Sequence, residues 1–327
     1  MARQQPTGKL ATIFGGSGFV GRYVTRELAS RGWRVRAACR RPDLAGYLQP
    51  MGAVGQVFPV QANMRYPDSV ARAVAGADAV VNAVGILAPS GRQDFEAIHV
   101  KGPRAVAKAA REAGVPRLVH ISAIGASEKS SADYAKTKAE GEAAVLEEYP
   151  DAIILRPSII FGPEDEFFNR FAGMARVSPI LPLIGGGKTR FQPIYVGDVA
   201  TAVANCVEGS GTVGDTYELG GPETLTFKQL LDRTKTWSGH NPSYVSLPFW
   251  LAKLQAVLTW PLPSSLRPVT VDQVRLLQVD NVVSEEARNK NRTIAELGVP
   301  SPHTVSTIVP EYLERFKSRG QFAHYRG

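Results

Sequence analysis

The chain has 327 residues, of which 44% are hydrophobic and 21% are charged, with 31 glycines, 23 prolines and two cysteines. The length indicates one large domain or two unequal ones, because domains usually contain roughly 100–200 residues. The composition excludes whole-chain disorder and a low-complexity protein, and two cysteines exclude a disulfide framework or a cysteine-rich metal site. We therefore expect a globular protein of a reducing compartment and no metal.

The net charge of +8 lies almost entirely in the first half of the chain. Residues 1–150 carry 20 basic and 13 acidic side chains, whereas residues 151–327 carry 18 and 17. Such an excess suits phosphate groups, an anionic membrane surface, an acidic protein or an ordinary solvated surface. No nucleic-acid-binding module is present and the basic residues lack interleaved aromatic residues, so nucleic acid is not an expected partner.

Short apolar runs alternate with helical stretches over the first 160 residues. The predicted strands are Lys9–Gly15, Val35–Cys39, Val57–Val60, Ala79–Val84, Leu118–Ser122 and Ile153–Leu155. The predicted helices are Val20–Arg31, Asp68–Ala75, Phe95–Ala113 and Tyr134–Glu148. This alternation is typical of a parallel sheet with helices on both faces, so we predict a Rossmann-like, doubly wound α/β fold.

The pattern becomes irregular after about residue 160, where prolines are frequent. Helical stretches there are predicted at Val199–Val207, Phe227–Trp237, Trp250–Leu258, Asp272–Val279 and Ile308–Phe316. We therefore expect a dinucleotide-binding domain over residues 1–160 and a smaller, irregular, mostly helical C-terminal part over residues 161–327. Strands from about residues 190–222 are candidates to return to the first domain.

The sequence contains neither a secretory signal nor a membrane span. The apolar stretch Phe249–Leu262 is shorter than the ~18 apolar residues that a span requires, and it is interrupted by Lys253 and Pro261. Its apolar residues suit an interface. We favour a helix buried in the C-terminal part over one in direct contact with lipid. We expect a protein that is soluble or attached to a membrane from outside.

A glycine-rich loop follows the first predicted strand. Gly15, Gly18 and Gly21 are spaced three apart in the string IFGGSGFVG. Glycines let the backbone approach a pyrophosphate, and the N-terminus of the following helix supplies N–H groups and a partial positive charge. This strand–turn–helix context favours a bound dinucleotide over a ligand-free turn. The predicted loop contacts are Gly15, Ser17, Gly18, Phe19 and Val20.

The end of the second predicted strand indicates which dinucleotide binds. A carboxylate there would accept the ribose 2′-hydroxyl of NAD, whereas arginine pairs with the 2′-phosphate of NADP. Here the strand ends with Arg40 and Arg41, which favours NADP(H) over NAD(H). Further cofactor contacts are predicted after the third and fourth strands, at Asn63, Ala83, Val84 and Gly85.

Tyr134 and Lys138 form the second motif. They are four residues apart on a predicted helix and therefore share a face. An ammonium beside a phenol lowers the pKa of the phenol, which would suit Tyr134 to proton transfer.

Together these motifs resemble the short-chain dehydrogenase/reductase superfamily in its extended or atypical branch, over roughly residues 9–225. The matching strings are residues 15–21 (GGSGFVG), 82–85 (NAVG), Tyr134 with Lys138, 155–158 (LRPS), 161–163 (FGP) and 195–200 (YVGDVA). The resemblance implies a bound nicotinamide dinucleotide. It also implies further cofactor contacts at Ile121, Ser122, Tyr134, Lys138, Pro157, Ile159 and Ile160.

The chain departs from active members of that superfamily at two positions. The catalytic hydroxyl expected after the fifth strand falls on Ala123, so Ser122 would serve only if the register shifted by one. The Asn-Val-x-Gly string expected before that strand reads His99-Val100-Lys101-Gly102. Loss of one transition-state hydrogen-bond donor costs roughly 2.7–4 kcal/mol.

Residues 155–172 (LRPSIIFGPEDEFFNRFA), with residues 180–185 and 192–199, resemble more closely the accessory NAD(P)H-binding subunits of respiratory complex I. That resemblance implies tightly bound NADPH and a mainly structural role. It also implies contacts with other complex I subunits near the junction of the peripheral and membrane arms. The short N-terminus fits a bacterial version, peripheral on the cytoplasmic face of the inner membrane.

Two hypotheses follow. The favoured one is an NADPH-binding structural subunit that does not turn the cofactor over. The alternative is an active NADP-dependent reductase or epimerase that uses Tyr134 as acid/base, Lys138 to lower its pKa and Ser122 to polarise a carbonyl.

Overall fold

The computed structural model describes residues 7–259 and 269–317. The strands are β1 (Leu10–Phe14), β2 (Arg34–Cys39), β3 (Val57–Gln61), β4 (Ala79–Asn82), β5 (Leu118–Ile121), β6 (Ile153–Pro157), β7 (Ile160–Phe161), β8 (Ile180–Ile184), β9 (Arg190–Phe191), β10 (Ile194–Tyr195), β11 (Thr216–Leu219), β12 (Leu225–Thr226) and β13 (Ser243–Leu247). The helices are α1 (Phe19–Ser30), α2 (Pro67–Val74), α3 (Gly102–Glu112), α4 (Asp133–Glu148), α5 (Phe168–Val177), α6 (Val196–Glu208), α7 (Phe227–Ser238), α8 (Phe249–Leu258), α9 (Val271–Leu276), α10 (Glu285–Asn289) and α11 (Val305–Leu313).

The chain forms two compact units, of which the first contains a seven-stranded sheet. Its strand order is β11-β6-β5-β4-β1-β2-β3, and every neighbouring pair is parallel. All residues of β1, β4 and β5 are buried, as expected for strands covered on both faces. The predicted Rossmann-like, doubly wound sheet is therefore confirmed.

The first unit is assembled from three segments of the chain. It runs to Pro157 and also contains Val196–Leu219 and Val283–Ser301. The predicted C-terminal part, 161–327, is therefore not continuous. The second segment returns because β11 pairs with β6 at the sheet edge. The third segment, Val283–Ser301, is bound to the second by an ion pair between Arg292 and Asp215, 2.6 Å apart.

One predicted helix, Phe95–Ala113, is divided. Residues Glu96–Lys101 form a π-helical turn, and α3 begins at Gly102. Pro103 lacks an N–H group and cannot continue the hydrogen-bond ladder of an α-helix, which explains the change of helix type at this point. The π-helical turn places the His99 side chain in the protein interior.

The second unit comprises Ser158–Tyr195, Gly220–Val282 and the residues from Pro302 onward. Within it, β7 pairs with β10, β8 with β13 and β9 with β12 as separate two-stranded sheets. Its core is aromatic and aliphatic, and the fully buried members include Phe161, Phe168, Leu230 and Val309. Helix α7 begins at a capping box formed by Thr226 and Gln229.

Helix α8 leaves most of its large apolar side chains exposed, contrary to the favoured expectation of a buried helix, although Phe249 packs on a small apolar cluster. Ala252 and Ala256 are buried, whereas Trp250, Val257 and Leu258 are 68%, 58% and 71% exposed. Residues 260–262 of the predicted apolar stretch lie outside the described residues. No helix in the described part of the chain has the length and apolarity to cross a membrane.

Candidate functional site

The glycine loop connects β1 to α1 at the carboxyl edge of the first unit's sheet. Gly15 has a φ of +77°, and its N–H donates to Ala38 O of β2 at 3.0 Å. A Cβ on Gly21 would lie 2.0 Å from Gly15 O, so the first turn of α1 packs directly on the loop. Gly18 is the N-cap of α1 and has no side chain to occupy its free N–H groups. Loop and helix end thus present backbone donors to an anion.

The end of β4 lies beside this loop. Phe14 of β1 pairs with Asn82 of β4, and a Cβ on Gly15 would be 3.1 Å from the Val84 side chain and 3.2 Å from Ala83. Just beyond the strand, the side-chain Oδ1 of Asn82 accepts the N–H of Val84 at 3.2 Å. The strand order reverses between β1 and β4, and dinucleotides bind at such a switch point.

Lys138 is buried at the end of β5. Its Nζ donates to Ile121 O at 2.8 Å, and burial lowers its pKa to about 8 despite the opposing charge of Glu142 one turn further on. Glu142 is itself bound by Arg156 through two hydrogen bonds of 2.9 and 2.5 Å. The ammonium is therefore held at a fixed point by a backbone carbonyl.

Tyr134 lies one turn before Lys138 and contacts two aromatic rings. The Tyr134 ring meets those of His99 and Phe95 edge-on, at centroid distances of 5.3 and 6.1 Å. Burial raises the pKa of the phenol to about 12. The expectation that Lys138 lowers this pKa is therefore wrong for the protein alone, because desolvation of the phenolate raises it.

His99 occupies the position of the expected asparagine, and both of its ring nitrogens are bonded. Nε2 accepts the N–H of Ile86 at 3.2 Å, and Nδ1 lies 3.1 Å from the Oγ1 of Thr137. The Thr137 hydroxyl donates to Asp133 O, so Nδ1 carries the proton and donates to Thr137. Burial, then the charge of Lys138, lowers the pKa of His99 to about 3.

His99 therefore ties the segment after β4 to the first turns of α4 while remaining neutral. The sequence shows only that a histidine replaces the expected asparagine. The four-residue spacing of Phe95 and His99 indicates that these two rings share a face, but no signal in the sequence places Tyr134 beside them.

Ser122 is 4% exposed, and its hydroxyl has no hydrogen-bond partner among the described residues. Its N–H donates to Leu155 O at 2.7 Å, so the ladder of β5 and β6 continues to this residue. Ala123 follows without a hydroxyl. A buried, unpaired hydroxyl is costly and is normally explained by a missing ligand or water.

Replacement of this serine tests whether the hydroxyl is reserved for a ligand. We expect Ser122→Ala to keep or raise the stability of the nucleotide-free protein, by up to about 1–3 kcal/mol, because it removes an unsatisfied group. The same change should reduce the stabilisation by NADPH. Thermal melts with and without NADPH measure both effects.

A matched control is Ser158→Ala. The Ser158 hydroxyl is similarly buried but lies 2.9 and 2.6 Å from Asn281 O and Oδ1. Its removal should destabilise the protein with or without nucleotide. Equal behaviour of the two variants would contradict the assignment of Ser122.

The two arginines predicted to contact the cofactor at the end of β2, Arg40 and Arg41, differ in their ionic partners. Arg41 forms a two-point ion pair with Asp43, with Nη2 2.7 Å from Oδ2. Arg40 is exposed and has no acidic partner among the described residues. Asn63 follows β3 and lines a groove of about 350 Å³ with Gln61, Tyr66, Asp68, Ser69 and Arg72.

The remaining predicted contacts divide between the units. Pro157 ends β6, and its carbonyl accepts the N–H of Ile124 at 2.9 Å. Ile159 and Ile160 belong to the second unit, where the N–H of Ile159 donates to Asn281 Oδ1 at 3.1 Å. Within residues 7–259 and 269–317, no cluster of three or more His, Cys, Asp or Glu side chains offers a metal site.

A glycine cradle at the switch point of a doubly wound sheet, with a partly buried tyrosine and a buried lysine beside it, defines a dinucleotide-binding protein of the short-chain dehydrogenase type. The sequence profile of the NAD dependent epimerase/dehydratase family matches residues 11–220. The chain belongs to this family, in the group that includes the complex I subunit relatives described next.

The NADH dehydrogenase (ubiquinone) 1 alpha subcomplex subunit 9 of Arabidopsis thaliana is 34% identical over 333 residues, with 97% of this chain and 80% of the relative covered. The ceramide reductase of Caulobacter vibrioides is 30% identical, over 73% of this chain and 74% of the relative. Among solved structures, the NADPH-dependent quinone oxidoreductase of Escherichia coli has the same fold, with a TM-score of 0.71 at 21% identity; 93% of this chain and 99% of that one are covered. The resemblance predicted from the motifs is thus confirmed.

Proposed function

We propose that the first unit binds NADP(H). The close packing of Gly21 on Gly15 O fixes the N-terminus of α1, whose first N–H groups have no side-chain cap, at the loop where a pyrophosphate would bind. The hydroxyl of Ser122 has no hydrogen-bond partner among the described residues and could bind a polar group of the cofactor. Tyr134 and Lys138 are the residues to hold the nicotinamide ribose, and Arg40 is available to the 2′-phosphate. The bound nicotinamide would supply hydride-transfer chemistry.

We further propose that the protein is an accessory subunit of respiratory complex I with a mainly structural role. The observation that carries this proposal is the match of 97% of the chain to the Arabidopsis subunit at 34% identity. Its partners are then other complex I subunits near the junction of the two arms. The protein is peripheral, on the cytoplasmic face of the inner membrane. The exposed apolar side chains of α8 suit such contacts.

Three features of the site support cofactor retention without turnover. Ala123 lacks the expected hydroxyl, Tyr134 has a pKa of about 12, and His99 is bonded at both nitrogens and stays neutral. None of these groups readily exchanges a proton near neutral pH. A ligand that binds only the folded state still stabilises it, by roughly 2.7 kcal/mol at a hundredfold excess over its dissociation constant.

Comigration tests the assembly proposal. Membranes of the source organism are solubilised gently and separated on a native gel, where this chain should comigrate with NADH:quinone oxidoreductase activity. Deletion of its gene should reduce the amount of the intact complex. Migration as a free protein in membranes with intact complex I activity would refute the proposal.

The alternative, an active NADP-dependent reductase or epimerase, is favoured by one observation. The unpaired hydroxyl of Ser122 lies where a carbonyl-polarising donor would act if the register shifts by one residue. The Caulobacter relative named ceramide reductase also fits this alternative. Rapid oxidation of bound NADPH by small carbonyl compounds, abolished by Tyr134→Phe, would establish it; unchanged NADPH would exclude it for those substrates.

A further inference from the structure

One buried histidine, His120, is not among the proposed nucleotide contacts. It lies on β5, two residues before Ser122, and is 1% exposed. Its registered partner on β4 is Asn82, which is equally buried, so the two side chains stand on the same face of the sheet. The Nδ1 atom of His120 lies 3.1 Å from the Nδ2 atom of Asn82. A polar contact therefore connects β4 and β5 in the protein interior.

The partners of Asn82 determine the direction of this hydrogen bond. The N–H of Val84 can only donate, so the Asn82 atom that lies 3.2 Å from it must be the carboxamide oxygen. The NH₂ group of the carboxamide then faces His120 and donates, so Nδ1 of His120 accepts and the neutral ring carries its proton on Nε2. His99 has the opposite arrangement, because its Nδ1 donates to Thr137 and its Nε2 accepts.

A proton on Nδ1 of His120 would reverse the carboxamide of Asn82. An imidazolium has donors at both nitrogens and would bind the carboxamide oxygen, which would turn the NH₂ group towards the N–H of Val84. Two donors would then face each other, and the hydrogen bond to Val84 would be lost. The protein keeps His120 neutral, because burial, and then the charge of Lys138, lower the pKa of its imidazole well below the ordinary value.

The backbone that Asn82 holds forms one wall beside the glycine loop. Asn82 ends β4, and a Cβ on Gly15 would be 3.1 Å from the Val84 side chain and 3.2 Å from Ala83. The carboxamide is bonded at both of its ends, by Val84 at the oxygen and by His120 at the nitrogen. A side chain held at two points keeps one orientation, whereas a single contact leaves it able to rotate.

We propose that His120 is a positioning residue of the nucleotide site, acting through Asn82 to fix Val84 and its neighbours against the glycine loop. This role rests on the proposed binding of NADP(H). His120 acts without touching the nucleotide, as a supporting residue that keeps a binding segment in its productive geometry. The next residue, Ile121, holds Lys138 through its carbonyl, so the end of β5 supports two sides of the site.

The tautomer of His120 tests the direction of the hydrogen bond in the unmodified protein. In the full chain labelled with ¹⁵N at histidine, nuclear magnetic resonance at pH 7 should show the neutral Nε2–H form for His120 and the neutral Nδ1–H form for His99. The signals lost in His120→Gln and in His99→Phe assign the two rings. An Nδ1–H form or an imidazolium at His120 would overturn the inference, whether or not a variant folds.

Affinities for NADP⁺ test the positioning role, measured by calorimetry on the full chain after its nucleotide has been removed. His120→Leu should weaken binding about 3- to 10-fold and speed the hydrogen exchange of the Val84 N–H, because the Asn82 carboxamide loses one of its two contacts. His120→Gln offers an oxygen that can accept from Asn82, so its affinity should stay within about twofold of the wild type. His240→Leu is the control, since His240 lies in the second unit, 2.8 Å from Phe316 O, and its loss should leave the affinity unchanged.

The outcomes separate two kinds of failure. A wild-type protein that binds neither NADP⁺ nor NAD⁺ would refute the proposed nucleotide binding, and the role of His120 with it. A wild-type protein that binds NADP⁺ while His120→Leu binds it equally tightly would overturn the role of His120 alone. Equal losses of affinity in His120→Leu and His120→Gln would show that the ring fills space rather than accepts a hydrogen bond, and would also overturn it.

Discussion

Gly21→Ala should abolish dinucleotide binding and lower the melting temperature of the protein. The added Cβ would lie 2.0 Å from Gly15 O and 2.7 Å from Gly15 C, both backbone atoms that no rotamer change can move aside. Helix α1 must then retreat from the loop, at a cost of about 1–3 kcal/mol or more for overpacking. The retreat removes the N-terminus of α1 from the pyrophosphate position. Released nucleotide, measured after denaturation, and a thermal melt report the two effects.

Gly46→Ala provides the matched control. An added Cβ at Gly46 meets no atom within 4 Å, and its φ is not in the left-handed region. That variant should retain nucleotide and stability. If Gly21→Ala retained its nucleotide, α1 would not be the pyrophosphate-binding helix.

Lys138→Met should remove the pH dependence of stability that a buried ammonium confers, and should eliminate tight nucleotide binding. The pKa of Lys138 falls from 10.5 in the unfolded chain to about 8 in the folded protein. Between these values the unfolded chain binds the additional proton, so the free energy of unfolding rises with pH in that window. The penalty is fully present below pH 8 and relieved towards pH 10.5, by an amount on the order of 3 kcal/mol.

Denaturant unfolding of the wild type and of Lys138→Met between pH 7 and 10.5 measures the contribution of the buried ammonium, as the difference between the two free energies of unfolding. The wild-type free energy of unfolding should rise relative to that of Lys138→Met across the window. Lys136→Met is the control, because Lys136 is 51% exposed and pairs with Glu140 at the surface. A constant difference between wild type and Lys138→Met would show that Lys138 is not desolvated as described.

Much of the first unit is predictable from the sequence, since its signals are local. The glycine spacing, the apolar strands and the four-residue interval between Tyr134 and Lys138 each depend on neighbours along the chain. These predicted elements lie within a few residues of the observed ones. The lysine and the loop both border the carboxyl edge of the sheet, as their positions after β5 and β1 require.

The rest depends on contacts between distant segments. Burial raises the pKa of Tyr134 although Lys138 is four residues away, which no spacing rule reveals. Asp43 forms an ion pair with Arg41, and the hydroxyl of Tyr47 donates to the carbonyl of Ser17, 30 residues away in the sequence. The sequence likewise contains no sign that Arg22 donates hydrogen bonds to Ser17 O and Gly18 O of the loop.

The discontinuity of the first unit has a consequence for its biosynthesis. Its sheet gains the last strand only when β11 emerges, and Val283–Ser301 joins later still. Until then, a nascent chain ending near residue 160 carries β6 as an open edge, the kind of strand that pairs with other chains. A fragment that stops at the apparent end of the cofactor motif should therefore aggregate. The full chain completes the nucleotide-binding unit only after nearly all of it has left the ribosome.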